Sequence, residues 1–210
     1  MSTATALSYV HRFEPASLAG QPALLLLHGT GGDEHDLLAL GRAVAPGAAL
    51  ISPRGQVLEN GMPRFFRRLT EGVFDEADVR RRAHDLADFV LQVREAYGLS
   101  APIAVGFSNG ANIAAAILLL RPDVLAGAAL LRAMVPLADP PKADLIGKPV
   151  LILSGAGDPI VPADNARRLA TLFKASGANV EHQVMAGGHG LSQEDVSRAA
   201  TWLRKSLVKR

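Results

Sequence analysis

The sequence contains no cysteine, which excludes a disulfide framework, a thiolate metal site and a cysteine nucleophile while leaving the redox compartment open. Charge is scarce as well: 20% of the 210 residues are charged and the formal excess is only +2, a poor basis for binding nucleic acid. No apolar run has the length of a membrane span. The most apolar stretch, Ala111 to Leu120, is about half of what a bilayer requires and reads as a buried helix. Residues Met1 to Tyr9 lack the basic, apolar and small-residue succession of a signal peptide, so a cytoplasmic location is expected. Internal repeats and low-complexity tracts are missing too. What is present is apolar material, 49% of the chain, enough for one sizeable core and too little sequence for two ordinary domains, so residues 1–210 are expected to form a single domain.

Short apolar runs alternate with longer helical patterns. Ala23 to Leu27, Ala48 to Ser52, Ile103 to Phe107, Gly127 to Leu131, Val150 to Ser154 and Val180 to Met185 have the composition of buried strands. Between them, Asp78 to Tyr97 carries Val79, Ala83, Leu86, Val90, Val93 and Tyr97 at spacings of three and four, one stripe to face a sheet. A last helix is expected from about Ser192, where Ser192 and Asp195 have capping-box spacing and Val196, Ala200, Leu203 and Leu207 share a face. These patterns predict an α/β fold with a mainly parallel sheet covered by helices on both faces. Leu7 to Phe13 alternates and is expected as an antiparallel edge strand, while Arg54 to Asp78 is expected to lack regular structure.

In such sheets reacting groups sit beyond the carboxyl ends of the strands. After the third apolar run comes Gly106-Phe107-Ser108-Asn109-Gly110, followed directly by the helical run. This is the G-x-S-x-G pattern of a nucleophile elbow, where small residues let a strained turn pass close to neighbouring backbone. A serine hydroxyl needs a base, and the base needs an acid to fix its tautomer. Asp158 follows the strand at Val150 to Ser154, and His189 follows the last strand within Gly187-Gly188-His189-Gly190. The chain order Ser108, Asp158, His189 is that of the α/β-hydrolase triad. Asp164 is the nearest rival for the acid.

The oxyanion of a tetrahedral intermediate requires two N–H donors. Asn109 N–H, following the nucleophile, is one candidate. The other is Thr30 N–H, in the loop His28-Gly29-Thr30-Gly31-Gly32 after the first buried strand, which resembles the HGGG-type oxyanion loops of esterases. The same glycines do not form G-x-G-x-x-G, and no Walker Gly-Lys-Ser/Thr follows. His28, Asp33, His35 and Asp36 are metal-ligand types, but their spacing matches no zinc pattern, and neither metal nor cofactor is expected.

On these residues, together with Gly157-Asp158-Pro159-Ile160-Val161-Pro162 and Gly188-His189, the chain resembles the phospholipase/carboxylesterase family of α/β-hydrolases over nearly its whole length. Ser52-Pro53-Arg54-Gly55 and Glu59-Asn60-Gly61-Met62-Pro63-Arg64-Phe65-Phe66 are similar to a bacterial subgroup linked with hydroquinone and other aromatic compounds. The resemblance implies a carboxylesterase without a cofactor, with Ser108, Asp158 and His189 as triad, and often a homodimer. The chain departs from the acyl-protein thioesterase branch, in which Gln follows the nucleophile and a Ser-Gly pair stands near Arg132 to Met134.

With no sequence for a separate lid, Met62, Phe65, Phe66, Met134 and Val161 are the expected substrate-binding surface, suited to short acyl or aromatic esters. Arg64, Arg67 and Arg68 are expected on a solvated face. The expected partner is a small-molecule ester. The alternatives are a thioesterase, a dienelactone-like hydrolase, or a non-catalytic small-molecule-binding module on the same scaffold.

Overall fold

The computed structural model of the protein describes residues 7–208, without the side chains of residues 207 and 208. Leu207 on the last helix and the first six residues of the N-terminal stretch lie outside the described side chains and residues.

The apolar runs pair into one seven-stranded sheet, ordered β1-β3-β2-β8-β9-β10-β11. Its parallel part consists of β2 (Leu24–Leu27), β3 (Leu50–Pro53), β8 (Ile103–Phe107), β9 (Gly127–Leu131), β10 (Pro149–Gly155) and β11 (Asn179–Met185). The expected antiparallel edge strand is β1 (His11–Glu14), paired with β3 but shorter and later than the alternation in the sequence predicts. Strands buried on both faces need apolar side chains at every position, and the four leucines of β2 show why. Leu25 and Leu27 point into one core with α2 (Glu76–Tyr97), α3 (Asn109–Leu120) and α4 (Ala163–Ala175). Leu24 and Leu26 point into the opposite core with α1 (Leu38–Val44) and α5 (Gln193–Val208). The chain moves from β2 outward to β3 and then back across to β8, which makes the carboxyl ends of β2 and β8 a topological switch point with a crevice above them.

Helix ends follow their capping residues. Asp75 caps α2 by accepting the Asp78 N–H at 3.1 Å, so the helix begins two residues before the expected position, and Gly98 closes it in the left-handed region. Val79, Ala83, Leu86, Val90 and Val93 are all fully buried.

The segment expected to be structureless holds two hairpins. β4 (Val57–Glu59) pairs with β5 (Met62–Arg64), and β6 (Arg68–Thr70) with β7 (Val73–Phe74). Asn60 and Gly61 both have positive φ (52° and 80°), the backbone of a two-residue type I′ turn. Strands of two or three residues carry too little alternation to be read from a sequence, although the Asn-Gly pair marked the first turn.

Candidate active site

The nucleophile elbow is built by contact between backbones. At φ 52° and ψ −115°, Ser108 lies between β8 and α3, in a region that costs an L-residue about 1–3 kcal/mol and persists only when its surroundings enforce it. The Ser108 N–H donates to Leu131 O of β9 at 2.9 Å. A Cβ on Gly106 would lie 2.6 Å from Gly110 O, and one on Gly110 would lie 2.0 Å from Leu27 O and 2.6 Å from His28 O. Only glycine fits at either position, and the fit presses the elbow against the loop that follows β2. A third close approach joins the other two loops, since a Cβ on Gly155 would lie 2.3 Å from Gly188 O.

These contacts bring three distant side chains into line. His189 Nε2 lies 2.9 Å from Ser108 Oγ, and His189 Nδ1 lies 2.8 Å from Asp158 Oδ2. The other oxygen of Asp158 accepts the N–H groups of Ile160 (2.8 Å) and Val161 (3.0 Å). Burial alone would push the Asp158 carboxyl upward, but the Val161 and Ile160 N–H groups and His189 outweigh it and hold the pKa below the ordinary aspartate value. Asp158 is therefore a buried anion at neutral pH. Asp164, the rival acid, is exposed at the start of α4 and pairs with Arg167.

The loop after β2 is fixed from two directions. His28 is buried, with Nδ1 2.7 Å from Gly29 O and Nε2 accepting the Gly55 N–H at 2.9 Å. Burial keeps its pKa below the histidine norm, so it braces the loop as a neutral ring. Pro63, Arg64 and Phe65 then form a clamp. Pro63 O accepts the Gly31 N–H (3.0 Å), Arg64 Nη1 donates to Thr30 Oγ1 (2.9 Å), and Phe65 N–H donates to Asn109 Oδ1 (2.7 Å). Three consecutive residues thus hold both candidate oxyanion residues, Thr30 and Asn109. Arg64, expected on a solvated face, is instead 3% exposed and paired with Glu59 at 2.9 Å; Arg67 is exposed as expected.

The five expected substrate residues part company. Met62 is 41% exposed and its sulfur would lie 3.5 Å from a Cβ on Gly31, beside the oxyanion loop. Met134 and Val161 meet in one small apolar cluster with Ala166, Phe74 and Ile160. Phe65 and Phe66 are fully buried in the main core, because the Phe65 N–H bond to Asn109 and the Arg67 N–H bond to Asp78 (2.8 Å) draw this segment down onto the sheet. They offer no surface to a substrate. Among the described residues Asp33, Glu34 and His35 bring ligand atoms within 4.8 Å of one another, yet both Glu34 oxygens already accept from Arg54, at 2.5 and 2.8 Å. His28, with both ring nitrogens engaged, stands outside that group.

The sequence profile of the phospholipase/carboxylesterase family matches residues 11–207. The chain belongs to this family. It is 47% identical over 187 residues to "Putative hydrolase MhqD" of Bacillus subtilis (strain 168), covering 88% of this chain and 94% of that one. It is also similar to the crystal structures of the Bacillus cereus carboxylesterase (42% identity, TM-score 0.93, 96% of both chains) and of a carboxylesterase from Mesorhizobium loti (32%, 0.90, 95% and 96%). The fold is accordingly that of an α/β-hydrolase, and the protein is a hydrolase of the carboxylesterase class.

For a carboxylesterase-family chain, two buried residues stand out that sequence reasoning gave no part in the site, Asp195 being read only as a helix-capping residue. Arg132 directly follows β9 at φ 58° and is 1% exposed, and its carboxylate partner Asp195 is 0% exposed. An arginine closing an apolar strand is the one signal in the sequence, because a guanidinium buried there demands an acid. Which acid answers it is decided 63 residues later.

Proposed function

We propose that this carboxylesterase-family protein is a serine esterase acting on short-chain acyl or aromatic esters through an acyl-enzyme. The observation that carries the reading is the hydrogen-bonded line Ser108 Oγ, His189, Asp158, at 2.9 and 2.8 Å. With Asp158 ionised, His189 carries its proton on Nδ1 and turns a lone pair on Nε2 toward the hydroxyl. The Nε2 lone pair takes the Ser108 proton as Oγ attacks the ester carbonyl carbon. The carbonyl oxygen becomes an oxyanion held by the N–H groups of Thr30 and Asn109. Collapse breaks the bond to the alcohol, which leaves with the proton from His189. Water repeats the sequence on the acyl-serine, releasing the carboxylic acid and restoring Ser108.

Met62, exposed beside the Thr30 loop, gives the site apolar surface for a small acyl or aryl group, whereas Met134 and Val161, at 7% and 3% exposure, are buried packing and offer a substrate little surface. The expected result is turnover of p-nitrophenyl acetate and butyrate, falling as the acyl chain lengthens. Ser108→Ala should lower kcat by about 10⁴-fold or more. Wild-type turnover in Ser108→Ala would overturn the assignment.

A further inference from the structure

We propose that the buried Arg132–Asp195 pair is the positioning device that sets the His189 ring between Ser108 and Asp158. This inference rests on the triad reading above. His189 sits among Gly187, Gly188 and Gly190, which contribute no side chains to hold the loop in place, so its position has to be imposed from outside. Arg132 imposes it. Its Nε donates to Gly188 O (2.9 Å) and its Nη2 to Gly190 O (3.2 Å), gripping the loop on both sides of the imidazole-bearing residue. Its Nη1 reaches Leu153 O (3.3 Å) at the end of the strand that leads to Asp158. The two remaining donors go to Asp195, Nη1 to Oδ1 at 2.8 Å and Nη2 to Oδ2 at 2.9 Å. Five acceptors therefore meet the five N–H groups of the guanidinium, a complete set that a lysine ammonium cannot reproduce.

Both ends of this device are anchored. Asp195 Oδ2 also accepts the Ser192 N–H and hydroxyl, each at 2.8 Å, at the start of α5. Arg132 N–H donates to Leu153 O (2.8 Å), and the carbonyl of the preceding residue, Leu131, accepts the Ser108 N–H (2.9 Å). Adjacent residues at the end of β9 thus hold the nucleophile by main chain and the base loop by side chain. Arg132 touches no reacting atom; it fixes the distance between the groups that do. Displacement of a catalytic group by about 1 Å can cost 10²-fold in rate while leaving substrate binding intact.

Removing one member alone strands a buried charge, whereas replacing a buried pair by apolar residues is often neutral for stability. The test is therefore the double variant Arg132→Met/Asp195→Leu beside Arg132→Lys, which keeps the charge and loses the fork. Each is assayed for folding by circular dichroism, for kcat and KM with p-nitrophenyl acetate, and for the rate of Ser108 labelling by a fluorophosphonate. In folded variants kcat and labelling should fall about 10- to 100-fold, with KM within twofold of wild type. A folded variant of either kind with kcat within twofold of wild type would overturn the proposal, as would a loss confined to KM. Ser108→Ala and His189→Ala run in parallel separate the two readings. If they stay active, the triad itself fails; if they are inactive while the Arg132 variants turn over normally, only the positioning role fails.

Discussion

Ser108 keeps a strained backbone because the glycines around it leave the neighbouring chains no room to relax. Gly110 is the tighter of the two, lying against Leu27 O and His28 O. Gly110→Ala should cost about 3 kcal/mol or more, the upper end of overpacking penalties, read as a lowered urea midpoint at unchanged m-value. Gly190 offers the control, since a Cβ there meets nothing within 4 Å and its φ is not positive. Gly190→Ala should change stability by less than about 0.5 kcal/mol. Equal losses in the two variants would contradict the account of the elbow. The acid has its own residue-scale test. Asp158→Asn keeps a similar shape but can donate to Nδ1 and invite the wrong tautomer, so kcat should fall about 10⁴-fold with the fold intact.

At the scale of elements, the β4–β5 hairpin is better described as a brace than as a cover. Its residues Pro63 and Arg64 and the following Phe65 bond Gly31, Thr30 and Asn109, so the alignment of both proposed oxyanion donors passes through it. Arg64→Met should lower kcat about tenfold or more, short of the 10²–10³ lost when a donor is itself deleted. Glu59 keeps Arg68 as a partner at 2.9 Å, which limits the accompanying loss of stability. An unchanged kcat would show that the Thr30 loop holds without the hairpin. This element also shows where a sequence stops being readable. The line of Ser108, His189 and Asp158 was legible as a candidate site because each residue follows an apolar strand amid small residues. The hairpins were not, since strands of two and three residues barely repeat. Phe65 and Phe66 are expected at the site because, with no separate lid, residues 54–78 are the stretch left to cover it; two main-chain hydrogen bonds to Asn109 and Asp78 turn them inward instead. Arg132 was the deepest omission, as its acceptors come from three other segments.

For the molecule as a whole, two buried carboxylates couple the site to acid stability. In Asp158 and in Asp195 burial pushes the carboxyl up, but hydrogen bonds and, for Asp195, the Arg132 guanidinium and Ser192 outweigh it and leave both pKa values depressed. A depressed folded pKa contributes stability that is fully present above the unfolded aspartate value, about 3.9, and is lost as pH falls through the folded one. Urea midpoints should therefore be nearly level down to about pH 4 and decline below it. The decline should be shallower in Asp158→Asn, which has one such carboxylate fewer. Among the described residues no helix is long and apolar enough to cross a membrane.

As a nucleophile, Ser108 would become covalently acylated while His189 carries its proton and ionised Asp158 holds the ring. Rapid acid quench of the protein with p-nitrophenyl acetate, followed by peptide mass spectrometry, tests it directly. The account predicts one acetyl group per chain, located on Ser108 and missing in His189→Ala. Hydrolysis with no acetyl on Ser108 under conditions that trap the burst, or an acetyl on another residue that turns over at the same rate, would contradict it.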